Sequence, residues 1–264
     1  MSRLEELFRD RSKKALLMPY ITGGYPDLHD CRHVLEAFIA GGADMIELGV
    51  PFSDPLADGP TVQASAQQAL DAGVTPDDVL ALAGEFSGRL PVVLLVYYNN
   101  AFSYGSEPGP EQFVAAAAAA GVAGLIVPDL PVDEASEFVD ICRGRGTDAI
   151  LLAAPTSTKE RLRLIAGAAS GFIYCVSVTG VTGARTALSG QLPEFLDRVR
   201  AATDKPLAVG FGVSTPEQAA EVAQLADGVI IGSRLIKMVG DAGDIDVACR
   251  AVTKFLQEVN EVLA

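Results

Sequence analysis

AGGADMIELG, residues 40–49, compresses a helix stop, a short β-rich run and a glycine exit into one stretch. The same order recurs in AGVAGLIVPD (120–129), ASGFIYCVS (169–177) and LADGVIIGS (225–233). With ALLMPYITGG, LPVVLLVYY, TDAILLAAP and KPLAVGFG, the recurrence predicts strands near 16–22, 43–49, 91–97, 122–127, 148–153, 171–177, 206–210 and 227–231. Helical patterns separate them. Residues 28–40 put Leu28, Cys31, Leu35, Phe38 and Ile39 on one stripe, and Ser214-Thr-Pro-Glu217 reads as a capping-box start. The Ala115–Ala120 run reads as helix stopped by Gly121, because alanine is the best helix former. Eight such units in about 250 residues predict an α/β fold, a single (β/α)8 barrel over 1–264 with an extra N-terminal helix. A doubly wound sheet is the alternative, but TGGYP after the first strand is no GxGxxG.

In a barrel of this kind chemistry sits at the C-terminal ends of the strands. The second strand ends there in ELGVPFSDPLADGP (47–60). With period 2, Ala43, Met45 and Glu47 share one face, so Glu47 ends an apolar inner row. Desolvation disfavours the charged carboxylate and raises its pKa, as a proton donor near neutrality requires. Asp58, in a loop, is expected to stay ionised. The structural alternative makes Glu47 a paired core carboxylate and Asp58 a turn residue. Two exit loops are long, from Pro51 to about Thr61 and from about Val178 to Leu192, and both have compositions that permit movement. The second, with GVTGAR, is expected to be a closing lid.

Barrels often hold phosphate on the loops after strands 7 and 8. Those loops here are Gly210-Phe211-Gly212-Val213-Ser214 and Gly232-Ser233-Arg234, with Gly183 as a possible third element. Glycines let N–H groups approach an anion, and Ser233 is expected to cap a helix whose dipole favours one. Plain turn chemistry is the alternative for each glycine.

Composition excludes several function classes. The 264-residue chain is 49% apolar, with no linker or compositional break. Its net charge of −14 disfavours nucleic acid and anionic membrane, so any phosphate must be held by local donors. The N-terminus lacks a signal-like apolar run, and a cytoplasmic location is expected. Cys31, Cys142, Cys175 and Cys249 contain no CxxC pair, and most of them read as core thiols. His29 and His33 have helical i, i+4 spacing that could present two imidazoles to a metal, but they are the only histidines and read as a solvated helix face rather than a metal site. Lys13, Lys14 and Lys205 precede strands while Lys159, Lys237 and Lys254 fall in helices, which leaves no lysine for a Schiff base in the mouth. No GxSxG elbow is present. What remains is carboxylate acid–base chemistry beside a phosphate cradle.

ELGVPFSDPLADGP resembles the signature of the tryptophan synthase alpha subunit family, and the likeness extends along the chain. MPYITGGYP, LLVYYNN, VPDLPVDE, YCVSVTGVTG, GFGVSTPEQ and IIGSRLIK are similar to that family's strand-exit segments in order and spacing. One departure is Val178-Thr179, where the family often carries an arginine before a small residue. The resemblance implies a lyase that cleaves indole-3-glycerol phosphate to indole and glyceraldehyde 3-phosphate. It implies Glu47 as the general acid/base and Asp58 as stabiliser of charge at the indole N–H. Tyr20, Leu95, Tyr97, Ile126, Tyr174 and Phe211 match pocket positions, and Thr182 matches a lid threonine that contacts the aspartate. Gly183, Gly212, Gly232 and Ser233 match phosphate positions. No cofactor is implied in this chain; pyridoxal phosphate belongs to the partner, a beta subunit in an alpha2-beta2 heterotetramer. A stand-alone lyase and a non-catalytic homologue are the remaining alternatives.

Overall fold

The computed structural model describes residues 1–176, 191–210 and 212–264. Among them run the strands β1 (Leu16–Thr22), β2 (Ile46–Gly49), β3 (Val92–Leu95), β4 (Gly124–Ile126), β5 (Asp148–Ala153), β6 (Ile173–Val176), β7 (Leu207–Gly210) and β8 (Gly228–Ile231). The helices are α1 (Arg3–Arg9), α2 (Leu28–Ala40), α3 (Pro60–Asp71), α4 (Pro76–Ser87), α5 (Tyr98–Phe102) and α6 (Glu111–Ala119). They continue as α7 (Ser136–Arg145), α8 (Lys159–Ala168), α9 (Leu192–Arg200), α10 (Pro216–Ala223), α11 (Ser233–Asp241) and α12 (Ile245–Leu263). The strands pair in chain order, all parallel, and β1 closes on β8 through Leu16↔Gly228. Closure excludes the doubly wound sheet and gives the expected TIM barrel.

Several strands start later than the sequence predicts, because their leading residues hydrogen-bond outside the regular ladder. Asp44 shows how: its N–H donates to Leu17 O at 2.9 Å, and its carboxylate accepts from Leu17 N–H at 2.8 Å and pairs with Lys13 at 2.8 Å. The cap predicted at Ser214 lies one residue later. Thr215 caps α10 by accepting from Gln218 N–H, and the Gln218 side chain reaches back to Ser214 N–H at 2.8 Å. Gly121 ends the alanine helix at φ +75°, where a side chain would be strained.

The extra N-terminal helix is present. A capping box between Ser2 and Glu5 starts α1, and Leu4 and Phe8 are buried by it. A Cβ added at Gly124 or Gly171 would sit 3.0 Å from Leu4 Cδ1, so these glycines leave room for α1 against the barrel's N-terminal end. At the periphery, α12 buries Val252, Leu256 and Val259 along one stripe, and Leu256 packs on Gly41 just beyond α2.

Candidate active site

Register determines which side chains meet at the mouth. Parallel partners point to the same side of a sheet, and Tyr20↔Glu47↔Val93 are partners across β1, β2 and β3. One step higher, Thr22↔Gly49↔Leu95↔Ile126 line up. Tyr174 pairs with Leu152 and Ala208, two strand positions of the same parity. Tyr20, Glu47, Leu95, Ile126 and Tyr174 therefore share the inner face, and Tyr97 continues the alternation beyond Leu95. These aromatic side chains fit because glycines face them. A methyl at Gly49 would overlap the Tyr20 hydroxyl, and one at Gly210 would overlap that of Tyr174.

Glu47 is only 1% exposed, and its Oε2 has no hydrogen-bond partner among the described residues. Burial, reinforced by the charge of Asp58, raises its pKa to about 8. The inner-row expectation is met.

Asp58 lies in the expected loop but is buried there. It is 9% exposed, and burial raises its pKa to about 6 against the lowering effect of a hydrogen bond with Tyr97. The loop is turned inward by several anchors. Ala57 N–H donates to Tyr97 Oη at 3.0 Å, Asn100 Nδ2 donates to Pro51 O at 3.0 Å, and Gln63 Nε2 donates to Asp58 O at 3.0 Å. Phe52 stacks on Tyr97 with ring centroids 5.1 Å apart. The Pro51–Thr61 stretch is thus a pinned loop rather than the freely moving one its composition permits. Near neutral pH the site holds a protonated Glu47 beside an ionised Asp58, two carboxyls separated in role by their surroundings.

A polar relay behind Tyr20 was not anticipated from sequence. Its hydroxyl lies 3.4 Å from Thr22 Oγ1, Thr22 bonds Ser65 at 2.6 Å, and Ser65 donates to Val62 O at 2.8 Å. The available signal was Thr22 two residues beyond Tyr20, on the same face.

The loops expected to hold phosphate lie partly within the described residues. Gly212 sits at φ +90°, and Gly232 faces Tyr20, 3.0 Å separating an added Cβ from Tyr20 Cδ1. Ser233 is not the cap of α11: Gly232 holds that position, without a side-chain cap bond, and Ser233 is the first helical residue. Leu235 N–H is taken by Gly232 O at 2.8 Å, which leaves the N–H groups of Ser233 and Arg234 to serve an anion. Arg234 is turned away, its guanidinium 5.6 Å from the Phe255 ring centroid. Thr182, Gly183, Phe211 and the Val178-Thr179 departure lie outside the described residues. So does most of the predicted lid.

None of the six lysines lies on a strand of the barrel. A cavity of about 520 Å³ between the β4 and β5 exits, lined by Asp129, Leu152, Thr156 and Arg161, includes neither Glu47 nor Asp58. His29 and His33 are exposed on α2, as expected. No helix among the described residues is long and apolar enough to cross a membrane.

Comparison with known proteins agrees with this geometry. The family pattern for "Tryptophan synthase alpha chain" matches residues 8–263. The chain is 47% identical to the tryptophan synthase alpha chain of Picosynechococcus sp. over the full length of both, and 43% identical to that of Dehalococcoides mccartyi, again over both full lengths. It is similar to a solved structure of Mycobacterium tuberculosis tryptophan synthase, with TM-score 0.89, 38% identity, and coverage of 99% of this chain and 98% of that one. A Pyrococcus furiosus tryptophan synthase structure is similar at TM-score 0.86 and 38% identity, covering 94% of this chain and 99% of that one. With a closed barrel, two buried carboxyls at its mouth and relatives matched end to end, this chain belongs to the tryptophan synthase alpha chain family.

Proposed function

We propose that Glu47 and Asp58 are the catalytic pair by which this lyase cleaves indole-3-glycerol phosphate to indole and glyceraldehyde 3-phosphate. The cleavage is the activity of the family to which the chain belongs. The observation that carries the residue assignment is the buried Glu47, with one carboxyl oxygen unpartnered among the described residues and its pKa raised to about 8.

In this reading the neutral Glu47 carboxyl protonates indole C3. The ring becomes a cationic indolenine, and ionised Asp58 stabilises the positive charge at its N–H. The resulting Glu47 carboxylate then takes the proton of the adjacent glycerol hydroxyl. The C–C bond to C3 breaks, its electron pair restores the indole, and the hydroxyl carbon becomes the aldehyde of glyceraldehyde 3-phosphate. The proton returns to Glu47, so the cycle closes without an external acid, base or electron acceptor.

Tyr20, Leu95, Tyr97, Ile126, Tyr174 and Phe211 would hold the ring, with Thr182 closing over Asp58. Gly183, Gly212, Gly232 and Ser233 would hold the phosphate. The neutral character of the described part of this cradle supports binding by backbone N–H groups and the α11 dipole.

Residues 1–264 would act as one catalytic domain in the cytoplasm, with no cofactor of their own. The partner would be a beta subunit holding pyridoxal phosphate, in an alpha2-beta2 assembly. Two observations support this. Leu56, at the tip of the Asp58 loop, is 92% exposed, and the similar Pyrococcus furiosus structure concerns mutual activation in an a2b2 complex.

The test is to incubate the chain with indole-3-glycerol phosphate, alone and with a beta subunit shown to bind it, and to measure indole. Wild type should form indole and Glu47→Gln should not. Retention of more than about a tenth of wild-type kcat by Glu47→Gln, a barrier change under ~1.4 kcal/mol, would reject the role of Glu47.

A further inference from the structure

We infer that His29, Asp30 and His33 on α2 form a binding site for one divalent transition-metal ion of the Zn²⁺ or Cu²⁺ class, on the outside of the barrel and separate from the catalytic mouth. The two histidines stand one helical turn apart, so their side chains rise from the same face of α2. Their rings lie 4.7 Å apart, centroid to centroid, at 65°. One ligand atom from each histidine and one carboxylate oxygen of Asp30 all lie within 4.8 Å of one another. A tetrahedral Zn²⁺ with ligands at about 2.0–2.1 Å needs them about 3.3 Å apart. Closing the remaining gap, up to about 1.5 Å, takes side-chain rotation, and both rings are exposed and free to make it.

The surroundings leave these groups available. Among the described residues neither imidazole nor the Asp30 carboxylate has a hydrogen-bond or ion-pair partner. The nearest sequence cation, Arg32, is drawn off by a fork of bonds to Glu85, 2.8 Å at the shortest, and by Leu28 O at 3.0 Å. The backbone is also held ready, because the Asp27 cap accepts Asp30 N–H at 2.8 Å and fixes the first turn. A net charge of −14 concentrates divalent cations around the molecule. Two imidazoles and one carboxylate select Zn²⁺, Ni²⁺ or Cu²⁺ over Mg²⁺ or Ca²⁺, which prefer all-oxygen ligands. Cys249 of α12 is close enough for the Asp30 charge to act on it, but its sulfur is not one of the three clustered ligand atoms.

The full chain, free of any histidine tag, should be titrated with ZnCl₂ by calorimetry and with CuCl₂ by proton NMR. The chain has only two histidines, so the imidazole signals report this site alone. Wild type should bind one Zn²⁺ saturably, and substoichiometric Cu²⁺ should broaden both imidazole resonances together. His33→Ala should weaken binding at least tenfold, Asp30→Asn severalfold, and Cys249→Ser not at all. Zn²⁺ should raise the unfolding midpoint of wild type and not of His29→Ala/His33→Ala, whose fold is checked by circular dichroism. The inference is overturned if wild type shows no saturable binding below about 1 mM, if the double variant binds as wild type does, or if Cys249→Ser abolishes binding.

Discussion

The hydroxyl of Tyr97 accepts the backbone N–H of Ala57 at 3.0 Å, so a side chain at the β3 exit fixes the loop residue directly before Asp58. The same hydroxyl hydrogen-bonds the Asp58 carboxyl, where it opposes the upward push of burial. One phenol thus anchors the loop beside Asp58 and lowers the pKa of its carboxyl against the effect of burial.

Tyr97→Phe keeps the ring that stacks on Phe52 and removes both bonds. We expect kcat to fall by about tenfold or more, equivalent to ~1.4 kcal/mol, with little change in stability. Loss of the bond raises the pKa of Asp58 further, so the acidic limb of the rate profile should move to higher pH. A pure fall in kcat with an unmoved profile would deny Tyr97 this role.

Activity should be bell-shaped in pH. Asp58 must lose a proton, which it does around 6, and Glu47 must keep one, which it does up to about 8. A steady-state profile of kcat/KM should therefore peak near neutrality, with apparent values belonging to the pair. A flat profile from pH 5 to 9 would contradict the assignment.

Glu47 should also cost stability as it ionises. Its folded pKa of about 8 lies above the ordinary glutamate value of 4.5, so between these values the folded chain binds more protons than the unfolded one. Stability from this group is present at low pH and is lost as pH rises through that window. Glu47→Gln removes the dependence. Its stability relative to wild type should rise from pH 4.5 to pH 8 by a few kcal/mol, because each pH step between the two values contributes about 1.4 kcal/mol. Denaturant melts of both proteins at several pH values measure it, and parallel pH dependences would refute it.

Gly49 is expected to resist replacement while the Tyr20 ring and hydroxyl stand against it. An alanine methyl there would overlap the Tyr20 hydroxyl and stand 2.9 Å from Cζ. Gly49→Ala should destabilise by about 1–3 kcal/mol and raise KM, as overpacking does. Tyr20→Phe in the same chain removes the overlap with the hydroxyl but keeps the ring carbon at 2.9 Å, and should recover part of the stability. Additive losses in a double-mutant cycle would show that the two residues do not meet.

Ser233→Asp puts a negative charge at the first position of α11, against any bound phosphate. Affinity for glycerol 3-phosphate should fall at least tenfold in calorimetry while the melting curve is kept. Unchanged affinity would move the phosphate site elsewhere.

Local pattern determined much of this protein. Alternation carries Glu47 to the inner face whatever the rest of the barrel does, because period 2 is a property of the strand itself. Glycine after helix, as at Gly121, is likewise a local demand of backbone geometry. Repetition of the strand and helix unit then leaves few ways to pack other than a barrel, and the His29/His33 spacing is visible in the chain alone. Tertiary structure decided what depends on distant partners. Asp58 reads as an ionised loop residue until Tyr97 and Asn100, both from the β3 exit, draw its loop inward and bury it. The Tyr20–Thr22–Ser65 relay and the room made for Tyr20 by Gly49 exist only because β1, β2 and α3 come together. Burial and the charge of one carboxyl upon another are properties of three-dimensional distance, and so the ionisation of the pair could be set only by the fold.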